Sequence, residues 1–275
     1  MNTAAEEPRN LCALCDDLRA ECQELDDLLG TPVAGSIWNL GTRFHGWSVW
    51  DEIAHLHLFD ELAVLALADR DAFMTERRLI EAQLAEGSQI SGIARERFAN
   101  LPGTAIAPRW RTGWQTLADT LAELDPKARL PWFGPDMSAR SFATARMMET
   151  WAHGQDVWDA LDQRRPPSPR LAHIAQLGVL TFGWSFANRG RRPSGSMPQV
   201  HLIGPQGEAW HWGDAASTER ISGPALDFCL VVTQRRHVLD THLEVHGDTA
   251  REWMLIAQCF AGPAASPPAP RSFQR

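Results

Sequence analysis

A glutamate and a histidine, Glu149 and His153, stand four residues apart in a stretch whose neighbours are Met147, Met148, Trp151 and Val157. At about 3.6 residues per turn, such a pair leaves one face of a helix, one side chain above the other. The apolar company turns that face toward an interior, where an unpaired charge is costly. A carboxylate and an imidazole held this way make half of a metal site, and one further ligand would suit zinc. Any fold for this chain must bury the pair and bring a third donor to it, or leave it as a solvated glutamate beside a surface histidine.

The remaining pattern is helical first and mixed later. Leu11, Cys15, Leu18, Cys22, Leu25 and Leu29 recur at three- and four-residue steps, which predicts a helix with one buried face from Asn10 to Leu29, stopped by Gly30-Thr31-Pro32. A loop over 31–45 leads to Ser48, an N-cap residue, with Asp51 and Glu52 favourable at the positive end of a helix over Val49–Ala68. Further helices are expected over Asp71–Gly87, Trp110–Leu124 and Ala139–Gln163, the last entered at Ser138 after a loop with Pro126, Pro131, Gly134 and Pro135. Long helices joined by loops point to a bundle.

Arg164-Arg165-Pro166-Pro167-Ser168-Pro169 breaks the helical pattern. Beyond it a helix over Leu171–Ala187 is followed by strand-like runs at Gln199–Ile203 and Glu208–Trp212 around the turn Gly204-Pro205-Gln206-Gly207, a hairpin signal. A third run at Glu219–Ser222, a helix over Pro224–Thr233 and a last helix over Thr249–Phe260 complete a smaller α+β unit. The expected organisation is a helical bundle over 8–163, an α+β unit over 168–262 and a disordered tail over 263–275.

Composition narrows the partners. The 44% hydrophobic and 22% charged content is that of an ordinary globular protein, and a net charge of −8 argues against nucleic acid and against an anionic membrane surface. No apolar run reaches bilayer length, and MNTAAEEPRN lacks a basic-then-apolar secretion pattern, so a cytoplasmic protein is expected. Five cysteines, an odd number, point to reduced thiols, and Cys12-Ala13-Leu14-Cys15 reads as part of the first helix stripe rather than a redox motif. Twelve Trp and no Tyr are an oddity of the chain; most of these rings are expected in the core.

For the third ligand, the second helix offers His55 and His57, which face different directions, so one of them is expected to join Glu149 and His153. Asp51, one turn before His55, could accept from its ring. Here the residues resemble a known family. Trp47-Ser48-Val49-Trp50-Asp51-Glu52-Ile53-Ala54-His55-Leu56 is similar to the first-ligand motif of DinB-like helical bundles. Met148-Glu149-Thr150-Trp151-Ala152-His153-Gly154-Gln155-Asp156 is similar to the second motif of the mycothiol-dependent maleylpyruvate isomerase branch. The second half is similar to an actinobacterial metal-binding subgroup, through Thr181–Gly190, Thr233-Gln234-Arg235-Arg236-His237 and Ala257–Pro263.

The resemblance implies a mainly α protein, an up-down four-helix bundle followed by a smaller α+β domain. It implies His55, Glu149 and His153 as ligands of zinc or another divalent metal, with mycothiol as cosubstrate. Three protein ligands leave zinc an open position, the arrangement of catalytic rather than structural sites. A thiol there would serve thiol transfer or thiol-assisted isomerisation of a small electrophile; a water there would serve hydrolysis. A third possibility is a binding or resistance protein with no chemistry. Arg146, three residues before Glu149, either reaches the open side of the metal or pairs with Glu149. Arg235 and Arg236 match a substrate carboxylate through the guanidinium fork or stand solvated. Asp156 either orients His153 or caps a surface.

Overall fold

The computed structural model describes residues 11–30 and 36–271. The expected helix start at Asn10, its stop at Thr31-Pro32 and the last residues of the tail, 272–275, lie outside them. The chain divides into two compact units, with the break between Arg165 and Pro166.

The first unit holds α1 (Leu11–Leu29), α2 (Val49–Ala68), α3 (Arg70–Ala85), α4 (Ile90–Phe98), α5 (Gly103–Ala122), the strands β1 (Arg129–Trp132) and β2 (Gly134–Ser138), and α6 (Ala139–Ala160). The bundle is built from α1, α2, α5 and α6: α1 packs on α5 and α6, and α2 packs on the same two, so the four close into a ring. The α1 stripe fills its centre with Leu11, Leu14, Cys15, Leu18, Cys22, Leu25 and Leu28, all nearly inaccessible, against Ile53, Leu56, Trp110, Leu117 and Phe142. Burial pushes the Cys15 thiol up to about 11, as suits an inert core residue. Ser48 caps α2 in a full capping box: its side chain accepts from the Asp51 backbone while Asp51 takes the Ser48 N–H.

Three elements of this unit differ from the sequence expectation. A separate helix, α4, follows α3. Helix α5 starts at Gly103 rather than Trp110 because Pro108, in its second turn, removes only one donor. Gly103 admits the Trp38 ring, which lies where any β-carbon would be. The proline-rich segment before Ser138, read as a loop, forms the β1–β2 hairpin. Both its strands are edges, where a proline's missing N–H costs little.

The second unit holds α7 (Leu171–Leu180), α8 (Phe182–Ala187), β3 (Gln199–Ile203), β4 (Ala209–Trp212), β5 (Arg220–Pro224), α9 (Ala225–Val232), β6 (Glu244–His246) and α10 (Asp248–Ile256). The single helix expected over 171–187 is broken at Thr181, and the last helix stops at Ile256. The expected hairpin pairs β3 with β4 antiparallel, while β5 lies parallel to β3, Gln199 opposite Arg220, giving the order β4-β3-β5-β6. Val200, Leu202 and Ile221 are the buried face, and α9 packs on β3 and β5. Gly178 on α7 lets Val232 and Phe228 of α9 approach where a side chain would collide. The tail expected to be disordered from 263 is instead tied down as far as Arg271. Ala265 N donates to Gln258 Oε1 at 3.0 Å and Arg271 N to the Asp240 carboxylate at 3.0 Å. No helix of the described residues is long and apolar enough to cross a membrane.

Candidate metal centre

His55 projects from α2, and Glu149 and His153 project one above the other from α6, the helix beside it. One oxygen, Glu149 Oε2, lies 3.4 Å from His55 Nε2 and 3.4 Å from His153 Nε2. One donor atom from each of the three residues falls within 4.8 Å of the others. A separation of 3.4 Å is longer than a good charge-assisted hydrogen bond. It is the edge of a tetrahedron whose centre stands about 2.0–2.1 Å from each corner, the bond length zinc makes with imidazole nitrogen and carboxylate oxygen. The donor set and its spacing therefore fit a divalent ion with two imidazoles and one carboxylate.

Electrostatics favour the same use. Burial raises Glu149, but the hydrogen-bonding rings of His153 and His55 outweigh it and hold the carboxylate well below its ordinary range. Burial first, and then the neighbouring His153, pull His55 down to about 4, so at neutral pH its ring carries a free lone pair. Both imidazoles are enclosed, while the Glu149 side chain keeps 23% of its surface and marks the open side of the cluster.

The walls are aromatic. Trp47 lies parallel to the His153 ring, centroids 5.7 Å apart at 11°, and Phe44 meets the same ring edge-on at 5.1 Å. Phe59 lies 4.7 Å from His55. Trp47 and Phe44 sit on a tight loop ahead of α2, in which Thr42 N donates to Trp47 O at 2.6 Å and a Gly41–Ser48 bridge closes the base. The turn passes through His45 and Gly46, both at positive φ.

On its far side, His153 Nδ1 lies 2.6 Å from Glu52 Oε2, and Thr42 Oγ1 donates to Glu52 Oε1 at 2.6 Å. Glu52 and Thr42 escaped the sequence reading. A signal was present: Glu52 stands three residues before His55, on the same helix face, yet its place in the first turn suggested only a dipole role. Asp156 is buried, not a surface cap, and one of its oxygens comes within 4.8 Å of the Glu52 and His153 donors.

Two expected roles change. Asp51 does not serve His55: it is held by the Ser48 cap and by Arg95, at 2.6 and 2.7 Å, and His55 Nδ1 has no hydrogen-bond partner among the described residues. Arg146 does not pair with Glu149. It is buried against Asp60, Nη2 to Oδ1 2.9 Å, and Trp110 Nε1 donates to the other Asp60 oxygen at 3.0 Å. His57 faces away from the cluster and packs its ring on Phe98. Arg235 and Arg236 belong to the second unit, where Arg235 is buried and donates to Thr233 O at 2.8 Å, and Arg236 to Arg235 O at 2.8 Å. Gln234, just before them, is held at positive φ. A cleft of about 620 Å³ opens elsewhere on the bundle, between Trp38, Trp50, Arg95 and Leu101, and none of the cluster's residues line it.

Fold and site define a four-helix bundle of DinB-like type with a two-histidine, one-glutamate cluster open on its glutamate side, followed by an α+β unit. The chain belongs to the family described as mycothiol maleylpyruvate isomerase N-terminal domain, whose model matches residues 18–158. An uncharacterized protein of Mycobacterium tuberculosis, matched in two strains, is 39% identical over 247 residues, 90% of this chain and 95% of its own length. The crystal structure of the mycothiol-dependent maleylpyruvate isomerase shares the fold at a TM-score of 0.53 and 14% identity, over 86% of this chain and 92% of that one. A histidine-to-alanine mutant of the same enzyme matches at 0.54 and 14% identity, over 91% and 97%.

Proposed function

We propose that this chain is a divalent-metal enzyme, with zinc the ion its donors suit best. It uses mycothiol, or another low-molecular-weight thiol, to isomerise a small electrophilic substrate or to transfer the thiol onto it. The observation that carries the reading is Glu149 Oε2 standing 3.4 Å from both His55 Nε2 and His153 Nε2. The family, and the thiol named for its solved relatives, support the choice of cosubstrate. When bound, the ion would supply a positive charge that favours the thiolate form of a thiol brought to it at neutral pH.

The chain's own residues do the rest. Glu149 remains anionic and His55 neutral, the protonation states that ligation needs. Trp47 and Phe44 cover His153 and keep water from that side, so approach is left to the Glu149 side. Arg146 is committed to Asp60, so it is not free to anchor a substrate carboxylate.

Elemental analysis of the native protein, followed by turnover assays with and without mycothiol, tests the reading. One divalent ion per chain and thiol-dependent turnover that His153→Ala abolishes support it. Turnover that ignores thiol would make the protein a hydrolase. Ligand binding that survives metal removal, with no turnover, would make it a sequestering protein.

A further inference from the structure

Glu52 is buried without trace of exposure, yet it carries a carboxylate. Each of its oxygens has a partner: Oε2 stands 2.6 Å from His153 Nδ1, and Oε1 receives the Thr42 hydroxyl at 2.6 Å. His153 Nε2 faces Glu149 at 3.4 Å, so the two ring nitrogens look at two different carboxylates. A distance of 2.6 Å is that of a strong charge-assisted hydrogen bond, whereas 3.4 Å leaves room for a shared ion. The ring nitrogen bound to Glu52 therefore holds the proton, and the other presents its lone pair to the cluster. Thr42 belongs to the same short loop as Trp47, which lies flat on the His153 ring. One loop thus holds the imidazole by its face and, through Glu52, by its edge.

We propose that Glu52, seated by the Thr42 hydroxyl, is the positioning residue that fixes the tautomer and orientation of His153, and that the 41–48 loop is thereby part of the metal site. The proposal rests on the metal-centre reading, but the tautomer it assigns belongs to the protein whether or not an ion is bound. The alternative use of this buried group is a second cation between Glu52, His153 and Asp156, whose donors also lie within 4.8 Å of one another. The 2.6 Å contact argues for a proton there rather than an ion, because two ligands of one ion stand about 3 Å or more apart.

The test uses the full-length chain and zinc itself. Glu52→Gln keeps the size of the side chain and removes its charge. It is expected to weaken zinc binding about 10- to 100-fold, the usual cost of losing an outer-sphere partner. Thr42→Val should weaken zinc binding less, and Thr42→Ser should restore it. Helix content by circular dichroism reports whether each variant is folded. In the metal-free wild type, nitrogen-15 NMR should find the His153 Nδ1 protonated, with a downfield N–H signal that moves upfield in Glu52→Gln. An unprotonated Nδ1, an unmoved signal, an unchanged zinc affinity in a folded Glu52→Gln protein, or two ions bound per wild-type chain would overturn the assignment. If the wild type binds no zinc, the metal-centre reading fails by itself, and the NMR signal still decides the role of Glu52.

Discussion

Trp47 lies flat against His153, their ring centroids 5.7 Å apart and their planes 11° from parallel. A large apolar plate on one face of a would-be ligand protects that face from water and limits the ring's rotation. Trp47 is 7% exposed, so its removal leaves a cavity as well as a bare imidazole. Trp47→Ala should destabilise the protein by about 3 kcal/mol in urea titrations, and should speed zinc loss to a chelator. Unaltered zinc release would show that the plate packs without guarding the site.

The Arg146–Asp60 pair is buried on both sides, with 4% and 3% of the two side chains exposed. Burial raises Asp60 despite the guanidinium beside it, so the carboxylate depends on that partner. Arg146→Met should cost about 3–5 kcal/mol by leaving a buried charge uncompensated, and adding Asp60→Leu to it should recover most of the loss. Equilibrium unfolding of the two single variants and the double variant measures this. Full stability in Arg146→Met, with loss of turnover alone, would return Arg146 to the substrate.

His57 gives a pH dependence of known sign. Burial first, and then the charges of Arg109 and Arg97, lower it from 6.5 to about 4. The unfolded chain therefore binds the proton more readily than the folded one. The stabilising contribution is complete above about pH 6.5 and is lost as pH falls through about 4, amounting at most to about 3 kcal/mol. Unfolding free energies of metal-free protein between pH 7 and 4 should fall more steeply in wild type than in His57→Leu. Parallel slopes would remove His57 from the account.

Metal loading should appear as thermal stability. An ion that binds only the folded chain adds about 2.7 kcal/mol at a hundredfold excess over its dissociation constant. Zinc should therefore raise the melting temperature of the wild type, chelator should lower it, and His55→Ala or Glu149→Gln should abolish the response. A melting temperature indifferent to zinc would speak against the whole cluster.

Much of the helical half could be read from residues alone, because its signals are local. The Leu and Cys stripe of α1 repeats at helical steps, and Ser48 with Asp51 spells the start of α2. What escaped reading lacked such signals. The strands β1 and β2 are edge strands carrying Pro131 and Pro135, and β6 has only Glu244–His246, too short to alternate. The parallel pairing of β5 on β3 is a long-range relation that no local pattern announces. At the site, the spacing of Glu149 and His153 was enough to put both on one face, and the choice of His55 over His57 came from the motif's resemblance. Helix α2 is apolar on nearly every side, so periodicity could not say which of Asp51 and Glu52 turns toward His153. The tertiary partner decides: Arg95 takes the first and Thr42 shares the second.

Arg165 stands in the stretch that breaks the helical pattern, yet its guanidinium is enclosed by the helices it follows. It meets Glu21, lies 2.8 Å from Glu24, donates to Trp151 O at 2.7 Å and sits over the Trp151 ring at 5.4 Å. The bundle is thus fastened by the last residue before the prolines, as a parcel is by its knot. A truncation ending at Gln163 would remove these contacts and loosen α1 from α6, whereas one ending two residues later would keep the fastening.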